Sequence, residues 1–267
     1  MTRAAAAWPA ERRRYNAGML SPTLKYLRLS AHVLTGLLLV LLRFPALERA
    51  ERARRVTRWA ARLLAILAVR VRVQGQPPAS GGVLIAANHV SWLDIHLLHS
   101  LLPARFISKA EVRDWPLIGR FAEAAGTVFL VREKKADAMR VNQLMAEHLR
   151  QGDCLALFPE GTTTDGGGVL PFFPSLFQPA VEAGASVWPV CIRYLNGDGT
   201  PCVDAAYYGQ INLAASLRKI AKLREIHAEV SFLPAIASAG LTRRDLAKAT
   251  EDAVRGALPP AAAGRRG

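Results

Sequence analysis

Two residues at the end of an apolar segment carry side chains suited to proton transfer. The run Val83–Ala87 predicts a short buried strand, His89 follows it at once, and Asp94 falls in the first turn of the helix expected next. Ligands collect at the carboxyl ends of strands in α/β sheets, so a catalytic side chain is expected here. One helical turn can bring the Asp94 carboxylate back to one imidazole nitrogen, which leaves the other nitrogen to act as a base.

Such a pair is the base and orienting group of a catalytic triad without a nucleophile from the protein. Ser91 is near in sequence, but no G-x-S-x-G elbow surrounds it, so a lipase or thioesterase mechanism is not favoured. The nucleophile is therefore expected to be a hydroxyl of the substrate. The same spacing also suits a structural histidine followed by a helix-capping aspartate, and the two residues alone do not decide between these interpretations.

Two neighbouring patterns fit other chemistry less well. His96 and His99 share a predicted helix with Asp94, but their segment is otherwise apolar and lacks a second group of ligands, so no metal site is expected. The glycine- and threonine-rich run 161–168 lacks the order G-x-x-x-x-G-K-[ST] and is interpreted as an active-site loop rather than a nucleotide-binding loop.

The body of the chain alternates short β-branched runs with segments of helical periodicity. This alternation predicts an α/β sandwich with a mostly parallel sheet. Strands are expected at residues 69–73, 83–87, 105–108, 127–131, 154–158, 186–193 and 228–233. Helices are expected in the body at residues 91–101, 136–151, 177–183 and 243–257.

The N-terminal quarter combines positive charge with apolar residues. Residues 1–73 contain 15 Lys and Arg against 3 Asp and Glu, whereas the remainder contains 20 against 18. The apolar run 29–42 is short for a spanning helix, and Phe44-Pro45 separates it from an arginine-rich helix at 47–69. We expect a helical hairpin that docks into one leaflet of an anionic membrane. The alternatives are a single transmembrane helix and an ordinary amphipathic helix packed on the body.

The charge distribution also bears on partners and location. A nucleic-acid binder would show basic residues among exposed aromatics in the body, and the body is nearly neutral, so no nucleic-acid partner is expected. Three cysteines without C-x-x-C spacing indicate thiols in a reducing compartment. We expect a peripheral or monotopic protein at the cytoplasmic face of the inner membrane. Its regions are a disordered N-terminus (1–20), a membrane-associated helical region (21–70), a catalytic domain (71–258) and a disordered tail (259–267).

Four blocks of the body carry a more specific pattern. They are Asn88-His89-x4-Asp94, then 109–119 with 126–132, then Phe158-Pro159-Glu160-Gly161-Thr162, and finally Val187-Trp188-Pro189-Val190. In this order they resemble the motifs of the glycerolipid acyltransferases typified by 1-acylglycerol-3-phosphate acyltransferase. The blocks cover about residues 85–195, and the basic hairpin before them resembles the family's membrane-docking element.

The resemblance implies a role for each matched residue. His89 is the general base that takes the proton from the acceptor hydroxyl, and Asp94 orients it. The residues implied around the polar head of the acceptor lipid are Lys109, Arg132, Glu160, Gly161, Thr162 and Thr163. The donor is a fatty acyl thioester of coenzyme A or acyl carrier protein, so no metal or redox cofactor is needed.

One position departs from the family pattern. The third motif usually continues Glu-Gly-Thr-Arg, but Thr163 stands at the arginine position and cannot pair bidentately with a phosphate. The expected reaction is acylation of the sn-2 hydroxyl of 1-acylglycerol-3-phosphate to phosphatidate, with Arg132 and either Lys134 or Lys135 compensating for the missing arginine. The alternative acceptor is a lyso-ornithine lipid, because the Glu-Gly-Thr-Thr form resembles that of a bacterial subgroup that includes lyso-ornithine lipid acyltransferases. A non-catalytic basic membrane-binding protein is the alternative of another class, and it leaves the four blocks unexplained.

Overall fold

Helices and strands alternate along the chain as the sequence pattern predicts. The computed structural model describes residues 21–79, 81–130 and 135–259. The helices of these ranges are α1 (Pro22–Leu42), α2 (Arg49–Ile66), α3 (Leu93–Leu101), α4 (Ile118–Ala124), α5 (Lys135–Arg150), α6 (Gln178–Ala183), α7 (Leu213–Lys222) and α8 (Arg243–Ala257). The strands are β1 (Val69–Gln74), β2 (Val83–Ala87), β3 (Arg105–Lys109), β4 (Val128–Leu130), β5 (Cys154–Leu157), β6 (Ser186–Leu195) and β7 (Ile226–Phe232).

The seven described strands form one sheet in the order β1-β7-β6-β2-β5-β3-β4. Neighbouring strands run parallel except for β6 and β7, which pair antiparallel. The predicted mostly parallel sheet is thus confirmed. The carboxyl ends of β2, β3, β4, β5 and β6 meet at one edge, and the loop that carries His89 leaves β2 at that edge.

Strand β2 shows why the sheet has helices on both faces. All five of its residues are buried and apolar, as expected of a central parallel strand. Ile85 belongs to an apolar cluster with α2 and α3, whereas Leu84 belongs to a second cluster with α5, α6 and α8. Successive side chains of a strand point to opposite faces, so a continuous apolar run requires two packed layers of helices.

Helices α1 and α2 form the predicted hairpin across a short turn at Phe44–Ala46. Helix α2 packs on α3 and buries Ala60, Leu63 and Leu64. It is therefore an amphipathic helix of the body, which was one of the alternatives.

Helix α1 differs from α2 because its apolar face points away from the body. Its buried residues are Lys25, His32 and Gly36. The leucines on its exposed side are Leu27, Leu34, Leu38, Leu41 and Leu42. By length and composition the helix can cross a membrane: its most apolar window has a mean hydropathy of 1.4, and 17% of that window is buried.

The first turns of α1 extend the helix beyond the apolar run that follows them. Ser21 caps it by accepting the Leu24 N–H, so the helix begins well before the apolar run at 29–42. Lys25 turns inward and donates from Nζ to the Leu223 carbonyl at 2.6 Å. Burial lowers the pKa of its ammonium group. The cation therefore does not interrupt the outer apolar face.

Two helices of the body, α4 and α7, were not predicted. Helix α7 is capped by Asn212, whose side-chain oxygen accepts the Ala215 N–H at 2.8 Å, and it buries Ser216 and Ile220 against the body. A buried serine and a short apolar stripe weaken the periodic signal of such a helix in sequence.

Two histidines of α3 are surrounded by aromatic rings. The His99 ring lies edge-on to Phe106 at 4.8 Å, and His96 lies 5.7 Å from Trp59 and 5.8 Å from Trp92. Loss of hydration disfavours the imidazolium form, so burial lowers the pKa of His99 to about 3 and that of His96 to about 4.

These two neutral histidines predict acid sensitivity. Between pH 4 and 6.5 the unfolded chain binds protons that the folded chain excludes, so the free energy of unfolding falls as the pH falls. We expect His99→Gln to reduce the slope of stability against pH by up to about 1.4 kcal/mol per pH unit. Urea unfolding followed by circular dichroism across this range measures the slope. An unchanged slope in a His96→Gln/His99→Gln double variant would contradict this explanation.

Candidate active site

The loop after β2 is tied to strand β6 by a buried amide. Asn88 donates from its side-chain nitrogen to the Ile192 carbonyl at 3.0 Å and accepts the Ile192 N–H at 2.7 Å. On the other side, the His89 carbonyl accepts the Thr164 N–H at 2.8 Å. The backbone that carries His89 is therefore held between the sheet and the loop that contains Thr164.

The His89 and Asp94 side chains are in direct contact. Nδ1 of His89 lies 2.8 Å from Oδ2 of Asp94. The same oxygen accepts the backbone N–H groups of Val90 at 2.7 Å and Ser91 at 2.9 Å. Oδ1 accepts the hydroxyl of Tyr194 at 2.6 Å. Asp94 is fully buried, whereas 17% of the His89 side chain is exposed.

These contacts decide the tautomer of the neutral His89 ring. A carboxylate that already accepts three other hydrogen bonds acts as an acceptor only, so Nδ1 of the imidazole carries the proton and donates it. The lone pair is then on Nε2. Phe158 stacks on the ring at 3.9 Å with an interplanar angle of 6°, which holds the ring plane. The partly exposed imidazole is thereby prepared to accept a proton at Nε2.

Helix α3 begins differently from the prediction. A helix was expected over 91–101, but α3 begins at Leu93, and the Asp94 carboxylate accepts the N–H groups that precede the helix. The buried Ser91 hydroxyl accepts the Leu93 N–H at 3.3 Å. Asp94 therefore closes the turn and contacts His89 at the same time. Within the described residues, no hydroxyl or thiol side chain is hydrogen-bonded to the His89 ring.

Glu160 lies buried on the other side of the loop that follows β2 and carries His89, which we call the catalytic loop. Its two carboxylate oxygens accept the His89 N–H at 2.7 Å and the Leu170 N–H at 2.8 Å. Burial raises the pKa of the Glu160 carboxyl, and the two backbone donors oppose that rise. Glu160 was expected at the polar head of the acceptor, but the described partners of its carboxylate are backbone N–H groups of two loops.

The turn after Glu160 leaves three predicted residues accessible beside His89. Gly161 adopts φ +71°, and a Cβ there would lie 2.8 Å from the Phe173 ring, so glycine is required. Thr162 is exposed and Thr163 is half-buried, ahead of the segment that bonds the His89 carbonyl.

The predicted cations are located only in part. Lys109 is the last residue of β3, at the carboxyl edge of the sheet, and its side chain lies outside the described part. Arg132 and Lys134 lie outside the described residues, and Lys135 is the first residue of α5. Across the ranges that are described, no three His, Cys, Asp or Glu side chains are grouped to hold a metal ion.

Two contacts of the site were not predicted: the Tyr194 hydroxyl on Asp94 and the Phe158 ring on His89. Tyr194 lies 100 residues after Asp94 in the sequence, and its signal there is faint. A tyrosine near the end of a largely buried strand needs a partner for its hydroxyl, but the strand pattern does not identify that partner.

An imidazole at the carboxyl edge of an α/β sheet, held by a buried carboxylate, is suited to accept a proton from a substrate hydroxyl. Comparison with known proteins makes the class specific. The family model described as Acyltransferase matches residues 68–193. The chain is 43% identical over 217 residues to the lyso-ornithine lipid O-acyltransferase of Pseudomonas aeruginosa, covering 81% of this chain and 83% of that one.

A second relative is named for a different acceptor lipid. The 1-acyl-sn-glycerol-3-phosphate acyltransferase of Neisseria gonorrhoeae is 38% identical over 157 residues, covering 59% of this chain and 61% of the relative. The chain belongs to the acyltransferase family and is an acyltransferase of the lysolipid type, which confirms the resemblance of the four sequence blocks.

The fold agrees with a solved structure. The crystal structure of the 1-acyl-sn-glycerophosphate (LPA) acyltransferase from Thermotoga maritima superposes with a TM-score of 0.61 and 23% identity. The match covers 88% of this chain and 95% of that chain. The predicted α/β architecture is thereby confirmed.

Substitutions at His89 and Ser91 distinguish a base from a nucleophile. We expect His89→Ala to remove acyl transfer and Ser91→Ala to keep a substantial fraction, because the Ser91 hydroxyl bonds the Leu93 N–H within the turn. Steady-state transfer of a labelled acyl group, compared at equal folded protein, measures both. An inactive but normally folded Ser91→Ala variant would revive a hydrolase mechanism.

The buried contacts of Glu160 give a second test of the site. We expect Glu160→Gln to lower the transfer rate at least about tenfold, because an amide presents one acceptor oxygen to two backbone donors. Glu251→Gln is the matched control, since Glu251 also accepts a backbone N–H, that of Phe172, away from His89. Equal rates for the two variants would show that the Glu160 contacts do not support the site.

Proposed function

We propose that the protein transfers a fatty acyl group from an acyl thioester to the free hydroxyl of a lyso-ornithine lipid. His89 is the general base and Asp94 orients it. The observation that carries the chemistry is the hydrogen bond between His89 Nδ1 and the buried Asp94 carboxylate, which leaves Nε2 as the basic atom. The acceptor is supported by the 43% identity to a relative of that name over 83% of its length.

The reaction needs a single catalytic base. Nε2 of His89 takes the proton of the acceptor hydroxyl as its oxygen attacks the thioester carbonyl carbon. The tetrahedral intermediate collapses with cleavage of the carbon–sulfur bond, and the imidazolium returns the proton to the departing thiolate. The negative charge of Asp94 stabilises the imidazolium between the two steps.

The donor in this proposal is acyl-coenzyme A or acyl carrier protein. Both present the same thioester, which is itself the electrophile, so the proposed chemistry calls for no metal or redox cofactor. The family resemblance assigns Lys109, Arg132, Gly161, Thr162 and Thr163 to the polar head of the acceptor. Lys or Arg side chains and backbone N–H groups at a glycine turn are suitable donors to an anionic group.

Thr163 favours the ornithine lipid over the phospholipid acceptor. An arginine at this position would offer a bidentate, charge-assisted contact to a phosphate, and threonine offers one neutral hydroxyl. A headgroup that carries its own amine has less need of a fixed cation. The second candidate is the expected acylation of 1-acylglycerol-3-phosphate at its sn-2 hydroxyl. The Neisseria gonorrhoeae relative of that name, 38% identical over 157 residues, favours it.

We further propose that the protein works at the cytoplasmic face of the inner membrane, with α1 as the docking element. The outer leucines of α1 would enter the apolar region of one leaflet. Arginines of α2 with exposed side chains, such as Arg54, Arg58 and Arg62, would face anionic headgroups, each contributing about 1 kcal/mol. A spanning α1 is the alternative arrangement.

Product analysis with competing acceptors tests the proposed function. Purified protein in anionic vesicles receives a labelled acyl thioester together with lyso-ornithine lipid and lysophosphatidate. We expect labelled ornithine lipid as the main product and none with His89→Ala. Phosphatidate as the main product would establish the second candidate. Formation of neither product with either thioester donor would contradict the proposed function.

Substitution of Thr163 tests the basis of acceptor choice. We expect Thr163→Arg to raise the ratio of phosphatidate to ornithine lipid about tenfold, which corresponds to one charge-assisted contact of about 1.4 kcal/mol. Thr163→Gln provides a long polar side chain without the charge and serves as the matched control. A ratio that rises equally in both variants would show that charge at this position does not select the acceptor.

A further inference from the structure

Tyr194 lies on β6 with its side chain buried in the core beside the site. It is 5% exposed, and its hydroxyl donates to Oδ1 of Asp94 at 2.6 Å. The same strand holds the other end of the catalytic loop, since Ile192 exchanges two hydrogen bonds with the Asn88 side chain. Strand β6 therefore contacts the segments before and after His89.

The two oxygens of Asp94 have different tasks. Oδ2 accepts from the His89 ring and from the backbone N–H groups of Val90 and Ser91. Among the described residues, Tyr194 is the donor to Oδ1. Without this hydroxyl, Oδ1 would be a buried acceptor that no described donor reaches, and the carboxylate would be held through Oδ2 alone.

The Tyr194 hydroxyl stays protonated and can therefore always donate its hydrogen bond. Burial and the neighbouring Asp94 charge raise the pKa of Tyr194 well above its ordinary value. The phenol consequently keeps its proton at the pH where an imidazole base works. It cannot become an anion that would repel the carboxylate.

We infer that Tyr194 is a positioning residue for the His89–Asp94 pair. Its hydroxyl fixes the carboxylate plane so that Oδ2 accepts the hydrogen bond from Nδ1 of His89. The imidazole ring is thereby kept in the orientation that directs Nε2 towards the acceptor hydroxyl. Tyr194 acts through Asp94 and touches no reacting atom. This role rests on the proposed function of His89 as the base, but the geometry of the pair does not depend on which lysolipid is the acceptor.

Tyr194→Phe tests the inference because it removes the hydroxyl and keeps the ring. We expect kcat to fall about 10- to 100-fold while KM changes by less than about threefold, since substrate contacts are unaltered. Proton NMR of protein labelled with ¹⁵N-histidine gives a second reading. The Nδ1–H resonance of His89, assigned by its loss in His89→Ala, is expected to shift in Tyr194→Phe.

Tyr208→Phe is the matched control, because Tyr208 is 45% exposed and the change removes the same atom. We expect its kcat and its Nδ1–H resonance to equal those of the unmodified protein. The loss in Tyr194→Phe should also vanish when Asp94 is already asparagine, since the hydroxyl acts through the carboxylate.

Two outcomes overturn the inference: an unchanged kcat in Tyr194→Phe, or a fall in kcat and stability with the Nδ1–H resonance unmoved, which would mean a structural role alone. Failure of the proposed function looks different. The unmodified protein would then transfer no acyl group, while the resonance would still report whether Tyr194 holds the pair.

Discussion

The buried carboxylate of Asp94 is the constraint on which the site depends. Removing a carboxylate from water is strongly unfavourable unless hydrogen bonds replace its hydration. Here four donors do so: the His89 ring, the N–H groups of Val90 and Ser91, and the Tyr194 hydroxyl. Satisfying one carboxylate thus shapes the turn that begins α3, sets the tautomer of the imidazole and ties β6 to that turn through Tyr194.

A second buried carboxylate holds the catalytic loop from the opposite side. Glu160 accepts the His89 N–H with one oxygen and the Leu170 N–H with the other, and so joins the loop after β2 to the loop after β5. His89 is consequently fixed through its ring by Asp94 and through its backbone by Glu160. The His89 ring is thus held in place before any substrate binds. This suits the proposed catalysis, in which the base is oriented before the acceptor arrives.

Local sequence patterns were enough to predict the strands and the pairing of His89 with Asp94. Contacts between residues far apart in the sequence could not be predicted in this way. The periodicity of α8 and the apolar run of β2 specify those elements without reference to other segments. The predicted start of α3 at residue 91 was wrong because the Asp94 carboxylate holds the N–H groups of Val90 and Ser91 in a turn before the helix. The apolar run at 29–42 covers only part of α1, because hydropathy does not reveal that Lys25 turns inward to a carbonyl. Tyr194 could not be paired with Asp94, since nothing in either segment encodes their proximity.

The central claim is that the acyl group passes directly from thioester to lysolipid hydroxyl, with His89 as base and no acyl-protein intermediate. Intact-protein mass spectrometry tests it most directly, after incubation with a labelled acyl thioester in vesicles, first without and then with the lysolipid. The account predicts an unchanged protein mass throughout and label in the lipid only once the acceptor is added. A stoichiometric acyl adduct on the protein, chased into lipid by the acceptor, would contradict it.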